Sequence, residues 1–331
     1  MVKPIIGLTM GDPAGIGPEI CARALTNYEI QAIANCLIVG DRKSIREGIK
    51  VSKIPDIEIN SINNVSEAKF RRGTIDVLDL NNVNVSRLKV GQVSKAAGKA
   101  SVEYIEKAIQ LAKDGKIDAM VTGPINKEAA AKAGCKFKGH TELIAARTKA
   151  KEYGMMFASD SLWIMLVTTH IPLKNVSKSL NIKNVLRAIK LAHETLLKSK
   201  GKKPKIGVAG LNPHAGEAGL FGNEEIKIIK PAVDEAKKMG INVKGPISPD
   251  ALFYLANIGM FDIIVAMYHD QGLIPLKLLS FNHSVNVTVG LPIIRTSVDH
   301  GTGFDIAGKG WANPQSMIEA IKVAAHFAKT K

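Results

Sequence analysis

The chain has 331 residues, of which 46% are hydrophobic and 23% are charged. At roughly 100–200 residues per domain, this length favours two domains, and the composition excludes a disordered chain, a collagen and a small disulfide-stapled domain. No apolar run approaches the roughly 18–20 residues that span a bilayer, and the N-terminus carries no signal-peptide pattern. Together with three widely spaced cysteines, these features predict a cytoplasmic protein with reduced thiols and no membrane partner.

The net charge of +15 has two interpretations. A basic protein can bind nucleic acid, or its lysines can form a solvated surface that helps to capture an anionic metabolite. Aromatic residues make up only 5% of the chain, and no nucleic-acid recognition motif is present. We therefore expect a small anionic ligand and no nucleic-acid partner.

Apolar strands alternate with amphipathic helices along the chain. The first strand is expected at Ile5–Met10, followed by a helix over Pro18–Ala34 that has a proline at its first position. Further strands are expected at Cys36–Gly40, Ile117–Thr122, Leu162–Thr168, Lys205–Ala209 and Asp262–Ala266, and further helices at Lys95–Lys113 and at about 182–199, 223–239 and 314–329. This alternation predicts an α/β protein with mainly parallel strands that are covered on both faces.

Three histidines share one sequence context. His170, His214 and His269 each lie at or just beyond the C-terminal end of an apolar strand, which is the sheet edge where ligand sites assemble. Three imidazoles with an open coordination position are typical of a catalytic Zn²⁺ site. Asp250 and Asp270 could orient these ligands or join them. Three unrelated loop histidines remain the alternative at this point.

A second group of residues is suited to anions. The segment 139–142 (GHTE) begins a predicted helix with Thr141 in a cap-like position, and a helix N-terminus offers free N–H groups to a phosphate or carboxylate. Lys277, Asn286 and Arg295 follow His269 in a glycine-rich region, and arginine binds carboxylates and phosphates in a bidentate manner. An ordinary helix cap and solvated surface charges are the alternatives.

The segment 11–19 (GDPAGIGPE) follows the first strand and begins the first helix. It lacks the third glycine of the dinucleotide-binding GxGxxG spacing, because Ile20 stands where that glycine is required. We therefore do not predict a standard Rossmann loop.

Seven motifs in order make the chain resemble the 4-hydroxythreonine-4-phosphate dehydrogenase family. They are GDPAGIGPE (11–19), TGPINK (122–127), GHTE (139–142), TTHIPL (168–173), GLNPHAGE (210–217), AMYHDQG (266–272) and GLPIIRTSVDHGT (290–302). The resemblance implies a divalent metal held by His170, His214 and His269, one of them supplied by the partner subunit of a homodimer. It also implies substrate contacts from His140, Thr141, Lys277, Asn286 and Arg295.

The segment 300–309 (HGTGFDIAGK) is similar to the adenosine-binding loop of isopropylmalate and isocitrate dehydrogenases. This similarity implies a cofactor site at His300, Gly301 and Asp305, and it implies two α/β/α domains with a central cleft in a dimer. An acidic Asp305 would accept a ribose hydroxyl and repel a 2′-phosphate, which favours NAD over NADP. We expect the first domain at 1–125 plus 275–331, and the second, with the metal ligands and dimer contacts, at 126–274.

The expected reaction is a metal-dependent, NAD-linked oxidation of the C3 hydroxyl of a phosphorylated four-carbon acid, followed by decarboxylation. The first candidate substrate is 4-phosphohydroxy-L-threonine, as in pyridoxal phosphate biosynthesis, and 4-phospho-D-threonate or D-erythronate is the alternative. A metal-dependent acyl- or phosphotransferase of related fold is a more distant alternative. Asp250, Asp270 and Lys277 are the candidate catalytic side chains. Zn²⁺ is the default metal for three imidazoles, although Co²⁺, Mg²⁺, Mn²⁺ or Ni²⁺ could serve.

Overall fold

A computed structural model describes residues 2–281 and 283–330 of the protein. These residues form two compact units, one built from 2–151 and 291–329 and the other from 152–290 together with 330. Within the described ranges, no helix is both long enough and apolar enough to cross a membrane.

The strands in chain order are β1 (Ile5–Thr9), β2 (Asn35–Gly40), β3 (Glu58–Ile62), β4 (Thr74–Asp79), β5 (Ala119–Thr122), β6 (Gly154–Ala158), β7 (Trp163–Leu166), β8 (Ile206–Ala209), β9 (Val243–Ile247), β10 (Ile263–Ala266), β11 (Val285–Val289) and β12 (Ile294–Ser297). The helices are α1 (Gly17–Thr26), α2 (Tyr28–Ile33), α3 (Arg42–Val51), α4 (Lys95–Lys113), α5 (Lys127–Lys132), α6 (His140–Thr148), α7 (Val176–Ser179), α8 (Ile182–Lys200), α9 (Lys230–Lys238), α10 (Pro249–Asn257), α11 (His269–Ser280) and α12 (Gln315–Lys329). This alternation confirms the predicted α/β class.

In the first unit the strands run in the order β3-β4-β2-β1-β5-β12, and each pairs in parallel with its neighbour. The central strands β1 and β5 are buried along almost their whole length, because helices cover both faces of a parallel sheet. The long helix α4 packs on β1, β2 and β5, while α12 packs on β5 and β12 beside α1 and α2. The C-terminal ends of these strands therefore form one edge that carries the loops of this unit.

In the second unit the order is β11-β6-β7-β10-β8-β9. The strands β7, β10, β8 and β9 are parallel, whereas β6 is antiparallel to both β7 and β11. Because β7, β10 and β8 are parallel neighbours, the loops that follow them leave from the same edge. Those are the three loops in which sequence analysis placed the histidines.

The chain crosses between the units later than the expected positions 125/126 and 274/275, at Lys151/Glu152 and Gly290/Leu291. The first crossing is late because α5 and α6 pack on α4. A Cβ atom on Gly98 of α4 would lie 2.1 Å from the carbonyl oxygen of Ala129, so only glycine allows these two backbones to touch. The second crossing is late because β11 pairs with β6 inside the second unit.

Two predicted helices differ from the observed ones. The helix expected over 18–34 is interrupted at Asn27, whose backbone is extended and whose side chain accepts the backbone N–H of Glu29, so that α2 begins as a separate helix. Asparagine is a preferred N-cap residue, and this local hydrogen bond competes with helix continuation. The helix expected over 223–239 begins with a wider π-type turn at Glu225–Ile229 before α9.

Candidate functional site

In the first unit, the 122–126 turn joins β5 to α5 and holds two of the predicted substrate residues. Arg295 on β12 is 3% exposed and donates to the hydroxyl of Thr122 through Nε (3.2 Å) and Nη2 (2.7 Å). The parallel pairing of β12 with β5 sets this contact. Burial lowers the pKa of Arg295 to about 10, so the guanidinium stays charged at neutral pH.

His140 is the first residue of α6 and is attached to the same turn. Its ring lies beside the backbone of Gly123, which acts to raise its pKa, while Nε2 is buried and has no hydrogen-bond partner among the described residues. Burial, and then the positive charges of Arg295 and Lys127, lower the pKa of His140 to about 3. The imidazole is therefore neutral, with Nδ1 as the donor and Nε2 as an acceptor for a ligand.

Thr141 was expected in a cap-like position, but Gly139 precedes α6 and Thr141 lies inside its first turn. Gly139 occupies the cap position with an extended backbone, and the helix begins at His140. Thr141 still lies at the positive end of the helix dipole, close in sequence to His140. The first unit thus gathers Arg295, Lys127 and a helix N-terminus, which together suit a carboxylate or phosphate, and His140 lies beside them as an acceptor for a donor group.

In the second unit, two of the predicted metal ligands lie side by side. The ring centroids of His170 and His269 are 5.6 Å apart. His170 follows β7, and His269 begins α11 after β10. These two strands are parallel neighbours, and a further hydrogen bond at their ends, from Val167 N to the carbonyl of Ala266 (2.9 Å), holds the two loops together. His269 Nδ1 lies 2.7 Å from Oδ1 of Asp270, which leaves Nε2 as the atom that can bind a ligand.

His214 lies on a strained loop. Residues 214–218 all have positive φ angles, between 41° and 83°, and a left-handed turn of this kind costs about 1–2 kcal/mol per non-glycine residue. Glu225, which is buried, holds the loop by accepting the backbone N–H groups of Leu211 and Asn212, each at 2.7 Å. The exposed His214 side chain contacts Glu217 through Nδ1 (3.2 Å). Backbone strain of this kind concentrates at functional sites.

The structure does not bring all three histidines together within one chain. Across residues 2–281 and 283–330, no three His, Cys, Asp or Glu side chains are arranged to hold a metal ion. Asp250 lies near His214, and a hydrogen bond from Ser248 is the main cause of its lowered pKa. The predicted ligands therefore form a pair, His170 and His269, and a separate His214.

The other two predicted substrate residues of this unit lie on α11 and β11. Lys277 is partly buried, with Nζ 5.4 Å from the ring centroid of Phe281. Asn286 pairs with Phe157 across β11 and β6, and its Oδ1 is buried without a hydrogen-bond partner in the described part of the chain. A buried unpaired polar atom costs about 1–3 kcal/mol, so Asn286 and His140 both carry an atom that a ligand would satisfy.

The predicted cofactor residues lie on an open loop of the first unit, which we call the cofactor loop (300–310). His300, Gly301 and Asp305 are exposed, and His300 Nδ1 lies 2.9 Å from the Gly301 carbonyl. The segment 11–19 supports this loop: Ile16 N donates to the carbonyl of Thr302 (2.9 Å) and Gly308 N donates to Oε1 of Glu19 (2.7 Å).

Comparison with known proteins identifies the family. The family described as Pyridoxal phosphate biosynthetic protein PdxA matches residues 32–324. The chain belongs to this family. A 4-hydroxythreonine-4-phosphate dehydrogenase from Desulforapulum autotrophicum is 48% identical to the PdxA-family chain over 324 residues, covering 98% of this chain and 95% of the relative.

Two further relatives agree with this assignment. A protein from Clostridium botulinum (strain Langeland), named as a proposed D-threonate 4-phosphate dehydrogenase, is 45% identical over 326 residues, covering 98% of the PdxA-family chain and 97% of the relative. The crystal structure of a 4-hydroxythreonine-4-phosphate dehydrogenase from Klebsiella pneumoniae superposes with a TM-score of 0.92 at 42% identity, covering 99% of this chain and 98% of that one. The relatives are dehydrogenases by name, which supports the predicted oxidoreductase class.

Four residues of this PdxA-family chain have roles that sequence analysis missed. Gln271 donates to the carbonyl of Gly210 and accepts the backbone N–H of Met267, so it links the ends of β8 and β10. Glu225 holds the His214 loop. Asp12 and Glu19 are buried, and each has one carboxylate oxygen with no partner among the described residues. The motifs containing Gln271, Asp12 and Glu19 were visible in the sequence, but their burial was not.

Proposed function

We propose that the protein catalyses a metal-dependent, NAD-linked oxidation of the C3 hydroxyl of a phosphorylated four-carbon acid, followed by loss of CO₂. The observation that carries this proposal is the pair of His170 and His269, together with Asp270 on His269 Nδ1. A carboxylate on one ring nitrogen fixes the tautomer and directs the other nitrogen to a metal. Neutral imidazoles fit Zn²⁺ best, and Co²⁺, Ni²⁺, Mn²⁺ or Mg²⁺ are the other candidates.

We propose that a second copy of the chain completes this site with its own His214. Two observations support a homodimer: the described residues of one chain contain no three-ligand group, and α11 exposes a large apolar surface near His269. Ile274 is 66% exposed, Leu278 85% and Phe281 69%. Exposed apolar patches of this kind mark protein–protein interfaces, and a partner covering α11 would stand next to the histidine pair.

The substrate's anionic groups would be held by Arg295, Thr141 and Lys277, while His140 and Asn286 would contact its hydrogen-bond donors. Arg295 supplies a fixed positive charge, because its guanidinium is held on Thr122. His140 Nε2 would accept a hydrogen bond from a protonated group, and Asn286 Oδ1 would do the same. When bound, a divalent cation acts as a Lewis acid that lowers the pKa of the substrate hydroxyl and stabilises the charge left by decarboxylation.

Among the three candidate catalytic side chains, the contacts favour Lys277 for proton transfer. Asp270 is hydrogen-bonded to His269, and a lowered pKa makes Asp250 a weaker base. Lys277 is partly buried on the same helix as His269. We assign it the role of moving the proton between the substrate and solvent, with Asp270 and Asp250 positioning the histidines.

The cofactor loop fits NAD. Asp305 is exposed on this loop, where its carboxylate can accept a ribose hydroxyl and disfavours the 2′-phosphate of NADP. The buried, unpartnered oxygens of Asp12 and Glu19 lie in the segment that supports the loop. When bound, the nicotinamide accepts hydride from the carbon that is oxidised.

The first candidate substrate is 4-phosphohydroxy-L-threonine, giving 3-amino-2-oxopropyl phosphate and CO₂. The second is 4-phospho-D-threonate or D-erythronate, giving dihydroxyacetone phosphate and CO₂. Both candidates have similar support from the relatives: the one named 4-hydroxythreonine-4-phosphate dehydrogenase is 48% identical to the chain, and the one named for D-threonate 4-phosphate is 45% identical. These substrates share the carboxylate, the C3 hydroxyl and the phosphate, so the residues described above bind all of them by the same groups.

The experiment that tests this proposal is NADH formation with each of the three substrates, with Zn²⁺, Co²⁺ or Mg²⁺ added. Wild type is compared with His214→Ala and with His326→Ala, a matched control on the exposed face of α12. We expect activity with one substrate, loss of activity and of bound metal in His214→Ala, and neither loss in His326→Ala. No NADH from any of the three substrates in metal-loaded protein would exclude these substrates and favour the transferase alternative.

A further inference from the structure

The carboxyl group of Asp12 is one of the buried polar groups of the first unit that keep an unpartnered atom among the described residues. Asp12 is 0% exposed; Oδ1 accepts the backbone N–H of Ala14 at 2.9 Å, while Oδ2 is buried with no partner in the described structure. Glu19 shares this feature through Oε2, although its Oε1 accepts the backbone N–H of Gly308, whereas the buried Asp41 accepts hydrogen bonds on both oxygens, from Ser44 and from Val83. A buried oxygen without a donor therefore calls for a ligand group that supplies one.

The position of Asp12 indicates which ligand group this is. On one side its segment is bound to the cofactor loop, where Ile16 N donates to Thr302 and a Cβ atom on Gly15 would lie 2.7 Å from the Thr302 carbonyl. On the other side Asp12 N donates to the carbonyl of Pro124 at 2.8 Å, in the same 122–126 turn that holds Arg295 and His140. Asp12 thus lies where the proposed cofactor and substrate residues of this unit meet.

The chemistry at this position favours the nicotinamide end of the cofactor over the substrate. Hydride transfer requires the nicotinamide to lie between the adenosine site and the carbon that is oxidised. A buried carboxylate disfavours the carboxylate and the phosphate of the proposed substrate. The substrate's donors are its hydroxyl and, in 4-phosphohydroxy-L-threonine, an ammonium group that 4-phospho-D-threonate lacks, so binding measured without substrate isolates the nicotinamide. The oxidised nicotinamide ring is positively charged, and its carboxamide offers an N–H donor.

We propose that Asp12 binds the nicotinamide of the cofactor, accepting a hydrogen bond from the carboxamide on Oδ2 and compensating the positive charge of the oxidised ring. This inference rests on the proposed NAD dependence. Oδ2 is closed to solvent in the chain alone, so binding requires a small opening of the segments beside it.

Two ratios of equilibrium dissociation constants, measured by calorimetry without substrate, test the two parts of this proposal. The first compares NAD⁺ with its 3-acetylpyridine analogue, which keeps the ring charge but lacks the amide N–H. The second compares NAD⁺ with NADH, which keeps the amide but lacks the charge. We expect wild type to bind NAD⁺ about tenfold or more tightly than the analogue, as for a hydrogen bond to a charged group.

The variant is Asp12→Asn, and the matched control is Asp41→Asn, which alters a buried carboxylate whose oxygens are already satisfied. In Asp12→Asn we expect the preference over the analogue to fall to about one and NAD⁺ to weaken more than NADH, because the amide can neither carry charge nor accept at the Oδ2 position. Asp41→Asn should keep both wild-type ratios. Asp12→Ala provides the same measurement if the first variant does not fold.

The outcomes separate this inference from the proposed function. If wild type binds NAD⁺ but Asp12→Asn keeps its preference over the analogue, Asp12 does not contact the carboxamide and the inference is wrong while NAD dependence stands. If wild type binds neither dinucleotide, the proposed NAD dependence fails and the inference fails with it.

Discussion

Replacing Asp12 by asparagine should stabilise the free protein, and the gain should depend on pH. Burial raises the pKa of Asp12 from its ordinary value of 3.8 to about 6. Below pH 3.8 the folded and unfolded chains both hold the proton. As pH rises toward 6 the unfolded chain releases it first, so the stability that the protonated carboxyl contributes is lost as pH rises through the folded pKa.

The size of the effect follows from the difference between the two pKa values. A difference of about two units corresponds to about 3 kcal/mol, which is fully expressed above pH 6. Asparagine can keep the bond to Ala14 N and removes the buried charge, whose pKa is raised by burial although the backbone N–H groups of Ala14 and Asn126 lower it. For a chain of 331 residues, about 3 kcal/mol corresponds to a shift in Tm of about 4 °C.

The assay is thermal unfolding of wild type and Asp12→Asn across pH 4 to about 8, without ligands. The difference in Tm should grow from near zero to about 4 °C over this range. Asp41→Asn is the control with the opposite sign: its amide nitrogen cannot accept one of the backbone N–H groups that Asp41 binds, so it should destabilise by about 1–3 kcal/mol at neutral pH. A Tm difference for Asp12→Asn that does not change with pH would refute the assignment of a raised pKa to this carboxyl.

Three further changes test the substrate residues and the dimer. Thr122→Val removes one acceptor of the buried Arg295 guanidinium and should cost about 1.5–3 kcal/mol in urea unfolding, with Thr122→Ser restoring most of it. His140→Asn should weaken substrate binding about tenfold, and this factor should be the same at about pH 6 and about pH 9 because the imidazole is neutral at both. A smaller factor at the higher pH would indicate that the ring is charged at the lower one. Leu278→Glu should give monomers in sedimentation that have lost bound metal, and dimers that keep their metal would show that α11 is not the interface.

Strong local patterns were sufficient to predict much of the fold. Helix α4 is observed at Lys95–Lys113, as its apolar periodicity predicts, and the structure adds a Ser94 cap at its start. The predicted strands before His170, His214 and His269 were also found, because short apolar runs between glycine-bearing loops are typical of a buried parallel sheet. Helix α11 was not predicted, since Gly272 and Pro275 interrupt its pattern.

The candidate site was predicted less completely because its decisive features depend on the folded environment. Sequence analysis could place His140 and Arg295 near an anion, but it could not show that Arg295 is held by Thr122 or that His140 is neutral. The same limit applies to Asp12. A carboxyl in a motif carries no sign of whether its oxygens will meet donors, because those donors come from segments far away in the chain.

The unfavourable features of the structure concentrate in the loops that the proposed ligands would contact. The left-handed turn at 214–218, the unpaired Nε2 of His140 and the unpaired Oδ2 of Asp12 each lower the stability of the free chain. A residue with only a structural role would lose stability when replaced. Asp12→Asn is instead expected to gain stability and to bind NAD⁺ more weakly, and measuring both in one preparation distinguishes the two roles. A variant that loses both would show that Asp12 supports the fold, whereas a gain in Tm with a lost preference for the carboxamide would identify it as a ligand-binding residue.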